Sequence, residues 1–278
     1  MLSRHRAAIS SSCEGKAHAM VKAGSSNTNQ PYQRLASGPV RLRVISPGAL
    51  VRILTAHALY LETNRKQGKR GDLSAVDLEG QDLSGGVLQR IKLDHARLRN
   101  VNLAGANLQR ANLIGADLRG AGLAGTNLGG VRMSGSNLEA ANLTGAELIG
   151  ADLEFAVLRK AVLRQARLNG ADMSGANLEG ADLQEADLGQ VNLRGACLRR
   201  ARLDHAGLRA ARLGGAFLEG ASLRGADLRG AYLRVARLDG ADLSAADLRE
   251  THGLVRAQLA AAFGWKSARL PSELSGGA

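Results

Sequence analysis

The chain has 278 residues, and its 37 lysines and arginines outnumber its 25 aspartates and glutamates, which gives a net charge of +12. It contains only two cysteines, Cys13 and Cys197, far apart in the sequence. This cysteine content excludes a disulfide-stabilised scaffold and predicts a reducing compartment, the cytoplasm. No apolar stretch reaches the ~18 residues of a transmembrane helix, and no secretory signal is recognisable.

The positive charge lies mainly at the N-terminus. Residues 1–70 carry twelve lysines and arginines against two acids, residues 71–250 carry 22 against 22, and residues 251–278 carry three against one. The central region is therefore neutral, so its composition does not indicate a nucleic-acid-binding body.

Residues 1–43 are predicted to form a disordered basic arm, because Gly24 to Pro31 contains only turn-forming or polar residues. The arm could bind nucleic acid or an anionic surface weakly and without sequence specificity. The first 19 residues remain ambiguous between a tail, an overlong start preceding Met20, and a transit peptide.

Residues 44–70 are predicted to form an N-terminal cap. Ser46 and Pro47 form a helix start, with serine as the N-cap and proline in the first turn. Leu50, Leu54 and Leu61 follow at helical spacing, which predicts a helix over about 47–63. This helix is expected to cover apolar side chains and unpaired amides at the first turn of the repeat region.

Residues 71–250 repeat with a period of five. Each of 36 consecutive quintets has a central leucine or, at Met133 and Met173, a methionine, from Leu73 to Leu248. Alanine stands two positions before the centre in 26 quintets, aspartate or asparagine often stands directly before it, and glycine is common two positions after it.

A five-residue period fits neither a helix nor a strand, so it predicts a repeated turn. The central residue and the small residue two positions earlier are expected to point inward. Glycine supplies the conformational freedom of a corner, and aspartate or asparagine can accept hydrogen bonds from the turn backbone.

The run Ala106-Asn107-Leu108-Gln109-Arg110 and its neighbours resemble the pentapeptide-repeat family, whose pattern is A(D/N)LXX. The resemblance covers residues 71–250 and implies an all-β solenoid, a right-handed quadrilateral β-helix of about nine coils with short helical caps. The segment from His57 to Leu73 is also similar to a lead-in of bacterial members, with Tyr60 where tryptophan is expected. That similarity favours a structural rather than a catalytic role for His57.

Residues 251–278 are predicted to form a C-terminal helical cap and tail. Leu254, Leu259 and Phe263 suit a short amphipathic helix that ends at Gly264, and the region is similar to the endings of family members. An alternative is a homodimer contact, since some members dimerise through this end. Its expected contact residues are Leu259, Phe263 and Trp265.

The repeat contains no recognisable catalytic, metal-binding or cofactor motif, which predicts a protein that is not an enzyme and has no cofactor. Most of its carboxylates are a repeated surface feature. On one face, charges at twenty-residue spacing from Glu79 to Asp239 mostly alternate in sign and predict a salt-bridge ladder. Excess arginine near the C-terminal end predicts a solvated surface or a docking patch for an acidic partner, either protein or nucleic acid, formed by Arg194, Arg199, Arg200, Arg202, Arg209, Arg229, Arg234 and Arg249.

The favoured function is a bacterial protein-interaction rod or scaffold whose partner the sequence does not identify. The alternative implied by the resemblance is a DNA-mimicking ligand of the topoisomerase gyrase that protects it from quinolones. DNA mimicry needs an acidic rod, whereas this one is neutral with a basic C-terminal third.

Overall fold

The computed structural model describes residues 41–275. Its backbone repeats the same turn every twenty residues, and parallel β-bridges join the residue before each centre to its equivalent one turn later, from Asp72–Lys92 to Tyr232–His252. Within residues 41–275 strand pairing consists of isolated bridges, because each five-residue side is too short for a longer strand. Twenty residues with four corners give each turn four sides.

Every corner is a tight turn of the same kind. In the first quintet the amide of Val76 donates to the carbonyl of Leu73 at 3.2 Å. The second residue after the centre has a positive φ in all 36 quintets, 19 times as glycine and 17 times as another residue. A positive φ at this position is the feature of a type II turn, which explains the predicted preference for glycine.

The core is a continuous column of central leucines surrounded by small residues. The central residues from Leu73 to Leu248 are all buried, and so is almost every residue two positions earlier. The predicted inward positions are therefore confirmed. Complete burial of one leucine side chain contributes about 1.5–3 kcal/mol.

The N-terminal end is covered by helix α1, Pro47–Glu62, which agrees with the predicted helix to within one residue. The Ser46 side chain caps it by accepting a hydrogen bond from the Ala49 amide. His57 lies on the inner side of α1 and is fully buried, and its Nδ1 accepts a hydrogen bond from the Gly71 amide at 3.1 Å. The predicted structural position of His57 is confirmed.

The segment before α1 also pairs with the first turn. Arg43 forms a parallel bridge with Val76. Its amide donates a hydrogen bond to the Ala75 carbonyl at 2.7 Å, and its carbonyl accepts one from the Asp77 amide at 3.0 Å. Ending the disordered arm at residue 43 was therefore wrong, because the Arg43 backbone satisfies edge groups of the first turn. The rest of that arm, residues 1–40, lies outside the described residues.

The C-terminal end is covered by helix α2, Arg256–Ala260, a 3₁₀ helix, Trp265–Ser267, and helix α3, Ser272–Ser275. Two amides of the last turn donate hydrogen bonds to carbonyls of this segment. The Leu243 amide donates to Phe263 at 2.9 Å, and the Leu248 amide donates to Arg269 at 2.7 Å. The segment therefore caps the solenoid edge.

The predicted C-terminal helix was too long. Leu254 precedes α2, and Phe263 follows it in a β-bridge with Asp242. Here tertiary pairing with the last turn overrides the helical spacing of the apolar residues.

Candidate interaction surfaces

Almost every aspartate or asparagine directly before a centre forms part of a corner turn. The side-chain oxygen of the residue before a centre accepts from the amide two residues later, as in Asp72 with Ser74 at 3.1 Å and Asp242 with Ser244 at 3.0 Å. The Ser244 hydroxyl and amide hydrogen bonds lower the pKa of Asp242. These side chains are therefore part of the scaffold, as the pattern predicts.

The predicted salt-bridge ladder forms only in part. Arg159 pairs with Glu179 at 3.7 Å across adjacent turns. Farther toward the N-terminus, Arg99 and Arg119 both bind Asp117, at 2.6 and 2.7 Å, instead of an acid of the predicted ladder. The carboxylate that precedes a centre lies as close to these arginines as their ladder partners and competes for them.

The predicted arginine patch is not one surface. Its eight residues are distributed over all four sides of the turn, because residues of different turns share a side only when their numbers differ by about a multiple of twenty. Five of the eight form ion pairs with acids of the same quintet or of the turn before or after: Arg199, Arg202, Arg209, Arg229 and Arg249.

The column of Arg209, Arg229 and Arg249 shows how this neutralisation works. Asp227 binds Arg209 at 2.7 Å and Arg229 at 2.6 Å, and Asp247 binds Arg249 at 2.6 Å. The side-chain hydrogen bond from Arg249 contributes most to the lowered pKa of Asp247. Aspartates alternate with the arginines, so this column offers little free positive charge to a partner.

One side of the last turns differs from the others, and we call it the basic face, formed by the exposed residues Arg194, Arg212, Tyr232, Arg234 and Val235. None of its three arginines forms an ion pair with another described residue. Its three quintets, 191–195, 211–215 and 231–235, contain no acid.

Sequence reasoning left Tyr232 and Val235 out of this surface, and it counted Arg212 only as part of the excess arginine near the C-terminal end. The twenty-residue period of the sequence could have identified this surface, because it places Arg212 beside Tyr232 and aligns Arg194 with Arg234. The Tyr232 ring also lies 4.7 Å from the ring of His252, which orients it at the edge of the face.

The C-terminal residues expected to form a dimer contact do not share one surface. Leu259 is only 2% exposed and belongs to the core, so its assignment as a contact was wrong. Trp265 is partly buried against the core, whereas Phe263 is 68% exposed. Leu259 turns inward because α2 lays its apolar side over the last turn.

Cys197 is also buried, although its place in the quintet predicts an outward position. It packs against Phe217, one turn later, and is 4% exposed. The guanidinium carbons of Arg199 and Arg237 lie 5.4 and 5.8 Å from the centre of the Phe217 ring, and both arginines bind Glu219. This closed cluster buries the thiol.

Within residues 41–275, no group of three or more histidines, cysteines or acids is arranged to hold a metal ion. None of the helices in that range has the length and apolar character needed to cross a bilayer.

Burial and the charges of Asp172 and Asp152 raise the pKa of Glu154. A raised pKa alone assigns no reaction.

The family described as pentapeptide repeats matches the chain in eight copies, within residues 72–103, 96–135, 136–175, 171–209, 201–236 and 218–252. No curated protein matches the chain.

Several solved structures of repeat proteins are similar. HetL of the cyanobacterium Nostoc sp. strain PCC 7120, involved in heterocyst differentiation regulation, is 32% identical, with 81% of this chain and 94% of HetL covered and a TM-score of 0.43. The pentapeptide repeat protein alr5209 of Nostoc is 38% identical over 39% of this chain and 84% of its own, with a TM-score of 0.31. QnrB1, a plasmid-mediated fluoroquinolone resistance protein, is 20% identical over 73% and 95%, with a TM-score of 0.36. The family match spans more than half of the sequence, and the chain belongs to the pentapeptide-repeat family.

Proposed function

We propose that this protein is a non-enzymatic interaction rod that binds an acidic protein partner through the basic face. The solenoid in this proposal has about nine right-handed turns, the geometry implied by the family resemblance. It acts as a rigid support, because each turn is bridged to its neighbours at every side.

The observation that carries the proposal is unpaired charge beside exposed apolar groups. Fourteen of the 22 lysines and arginines in residues 71–250 form ion pairs, whereas Arg194, Arg212 and Arg234 form none with a described residue. Tyr232 and Val235 lie among them and are exposed. Arginine and tyrosine are the residue types that dominate binding energy at protein interfaces.

The partner surface that fits is acidic and partly apolar. Because no acid within residues 41–275 pairs with these three arginines, each can form a charge-assisted, bidentate hydrogen bond with a carboxylate of the partner. The balanced charge of residues 71–250 favours this proposal over DNA mimicry, which needs an acidic rod.

The test is quantitative affinity capture from the cells that make the protein, using three forms of the full chain. One form is unmodified, one carries Arg194→Glu, Arg212→Glu and Arg234→Glu, and a matched control reverses three other exposed arginines, Arg110, Arg132 and Arg200. We expect the basic-face variant to lose the specific partner by about tenfold or more, with the control unchanged. Equal capture by all three forms would reject the basic face as the binding surface.

A second proposal is a homodimer through the C-terminal end, favoured by the exposure of Phe263. Sedimentation velocity is expected to show a dimer that Phe263→Ser converts to monomer. A monomer at high concentration in the unmodified protein would end this proposal.

A further inference from the structure

A second cationic site lies at the opposite end of the rod, in the N-terminal cap. A cavity of about 560 Å³ opens between α1, the segment before it and the turn that enters the first quintet. Four of its lining residues are cationic: Arg43, Arg52, Lys69 and Arg70. Ligand pockets in proteins typically have volumes of about 300–1,000 Å³.

Each cation is held by a different part of the cap. Arg43 is fixed by its β-bridge to Val76, and Arg52 lies on α1. The Lys69 amide donates to the Ala56 carbonyl at 3.0 Å, and the Arg70 Nε donates to the Arg90 carbonyl. Contacts within the cap and with the first turn therefore hold the backbone that carries the four charges.

Gly68 locks the turn that carries Lys69 against α1. Its φ is +73°, and a Cβ built there would lie 2.3 Å from the Ala56 carbonyl oxygen and 2.6 Å from the Tyr60 nitrogen. Only glycine permits this close approach, which holds Lys69 and Arg70 on the same side of the cap as Arg52.

The charges of this cavity are uncompensated, unlike most of the charges on the rod. None of the seven lysines and arginines in residues 41–70 forms an ion pair with a described residue, whereas most of those in residues 71–250 do. Among residues 41–275, Asp72 is the only acid lining the cavity, and it is already paired with Lys92 at 3.3 Å. Four cationic side chains that line one cavity repel one another, so an anion bound among them would relieve that repulsion.

The lining favours an anion with more than one negative group. A single carboxylate would compensate one of four cations, whereas a diphosphate carries enough charge and acceptor oxygens for several. Half-buried Ala49, Ile53 and Ala56 form an apolar wall that can contact an uncharged part of the same ligand.

We propose that the N-terminal cap binds a small molecule carrying a di- or triphosphate group, held by Arg43, Arg52, Lys69 and Arg70. The chain's own N-terminal residues are an unsuitable occupant, since residues 1–40 contain five lysines and arginines and one acid. This site is independent of the basic face and of the function proposed for it.

Isothermal titration calorimetry of the full chain with sodium pyrophosphate tests the proposal, with sulfate as a second anion. The pocket variant carries Arg52→Gln and Lys69→Gln, because neither side chain makes a hydrogen bond or ion pair with a described residue. The matched control carries Arg65→Gln and Lys66→Gln, which remove the same charge from exposed positions of the cap outside the cavity. Circular dichroism melting establishes that both variants are folded.

We expect pyrophosphate to bind more tightly than sulfate, the pocket variant to lose about tenfold in affinity, and the control to stay within twofold of the unmodified protein. Titration with ATP then asks whether a nucleoside attached to the phosphates strengthens binding or leaves the pyrophosphate affinity unchanged; both results keep the phosphate site. No heat with millimolar pyrophosphate, or equal losses in both variants, would overturn the proposal. So would an oligonucleotide that binds more tightly than pyrophosphate and loses the same affinity in both variants.

Discussion

Replacing Leu158 by alanine tests how rigidly the turns enclose the leucine column. Leu158 is fully buried at the centre of its quintet. Its amide donates to Asn177 at 2.7 Å, and the Leu138 amide donates to Val157 at 2.7 Å, so the turns on both sides are fixed. The walls cannot move inward without breaking these bridges. We therefore expect the upper part of the usual cost of such a truncation, about 3–5 kcal/mol in the free energy of unfolding.

The matched control is Ile149→Ala, which removes a branched side chain that is 41% exposed on an outer side. Because no enclosed cavity forms there, a loss of about 1 kcal/mol is expected. Urea unfolding followed by circular dichroism measures both values. Equal losses in the two variants, or a loss below about 1.5 kcal/mol for Leu158→Ala, would refute the reasoning about a rigid column.

Three further predictions concern the cap and two titrating groups. Gly68→Ala should lower the unfolding midpoint more than Gly105→Ala, since both have a positive φ but only Gly68 faces backbone atoms within 3 Å; equal midpoints would contradict this. Because the pKa of Glu154 is raised in the fold, the unfolded chain loses this proton at a lower pH than the folded chain. Glu154 therefore lowers the stability of the protein once the pH rises above about 4.3, the ordinary pKa of a glutamate. Glu154→Gln should therefore be more stable than the unmodified protein at pH 7 but not at pH 4. Burial lowers the pKa of His57, so the unfolded chain gains a proton there at a higher pH than the folded chain, and stability should fall as the pH drops through about 6.5. The fall should be smaller in His57→Gln, and an identical pH dependence would argue against a neutral, buried His57.

The inward positions and the corners of the rod could be predicted because each has a fixed place in the five-residue repeat. Leucine at each centre and alanine two positions earlier identify the inward positions, and glycine identifies the corners, without knowledge of any contact farther away. Even the non-glycine corners, such as His95 and Val235, follow the same φ because the turns on either side impose it.

The outer surface could not be predicted in the same way, because it depends on which side chain lies one turn away. Cys197 is buried because Phe217 follows it at twenty residues, and Arg209 is neutralised because Asp227 follows it at eighteen. Treating nearby arginines in the sequence as one patch ignored this spacing. The cap cavity was harder still, since docking of α1 through His57 and Gly68 brings Arg52 near Lys69.

The most direct test of the interaction function is site-specific photocrosslinking in the cells that make the protein. A photoreactive phenylalanine analogue replaces Tyr232 on the basic face in one form and Arg224, exposed two corners away at the same height, in the other. We predict a crosslink to one acidic protein from position 232 and none from position 224. Crosslinks of equal yield from both positions, or none from position 232 to an acidic protein, would contradict the account.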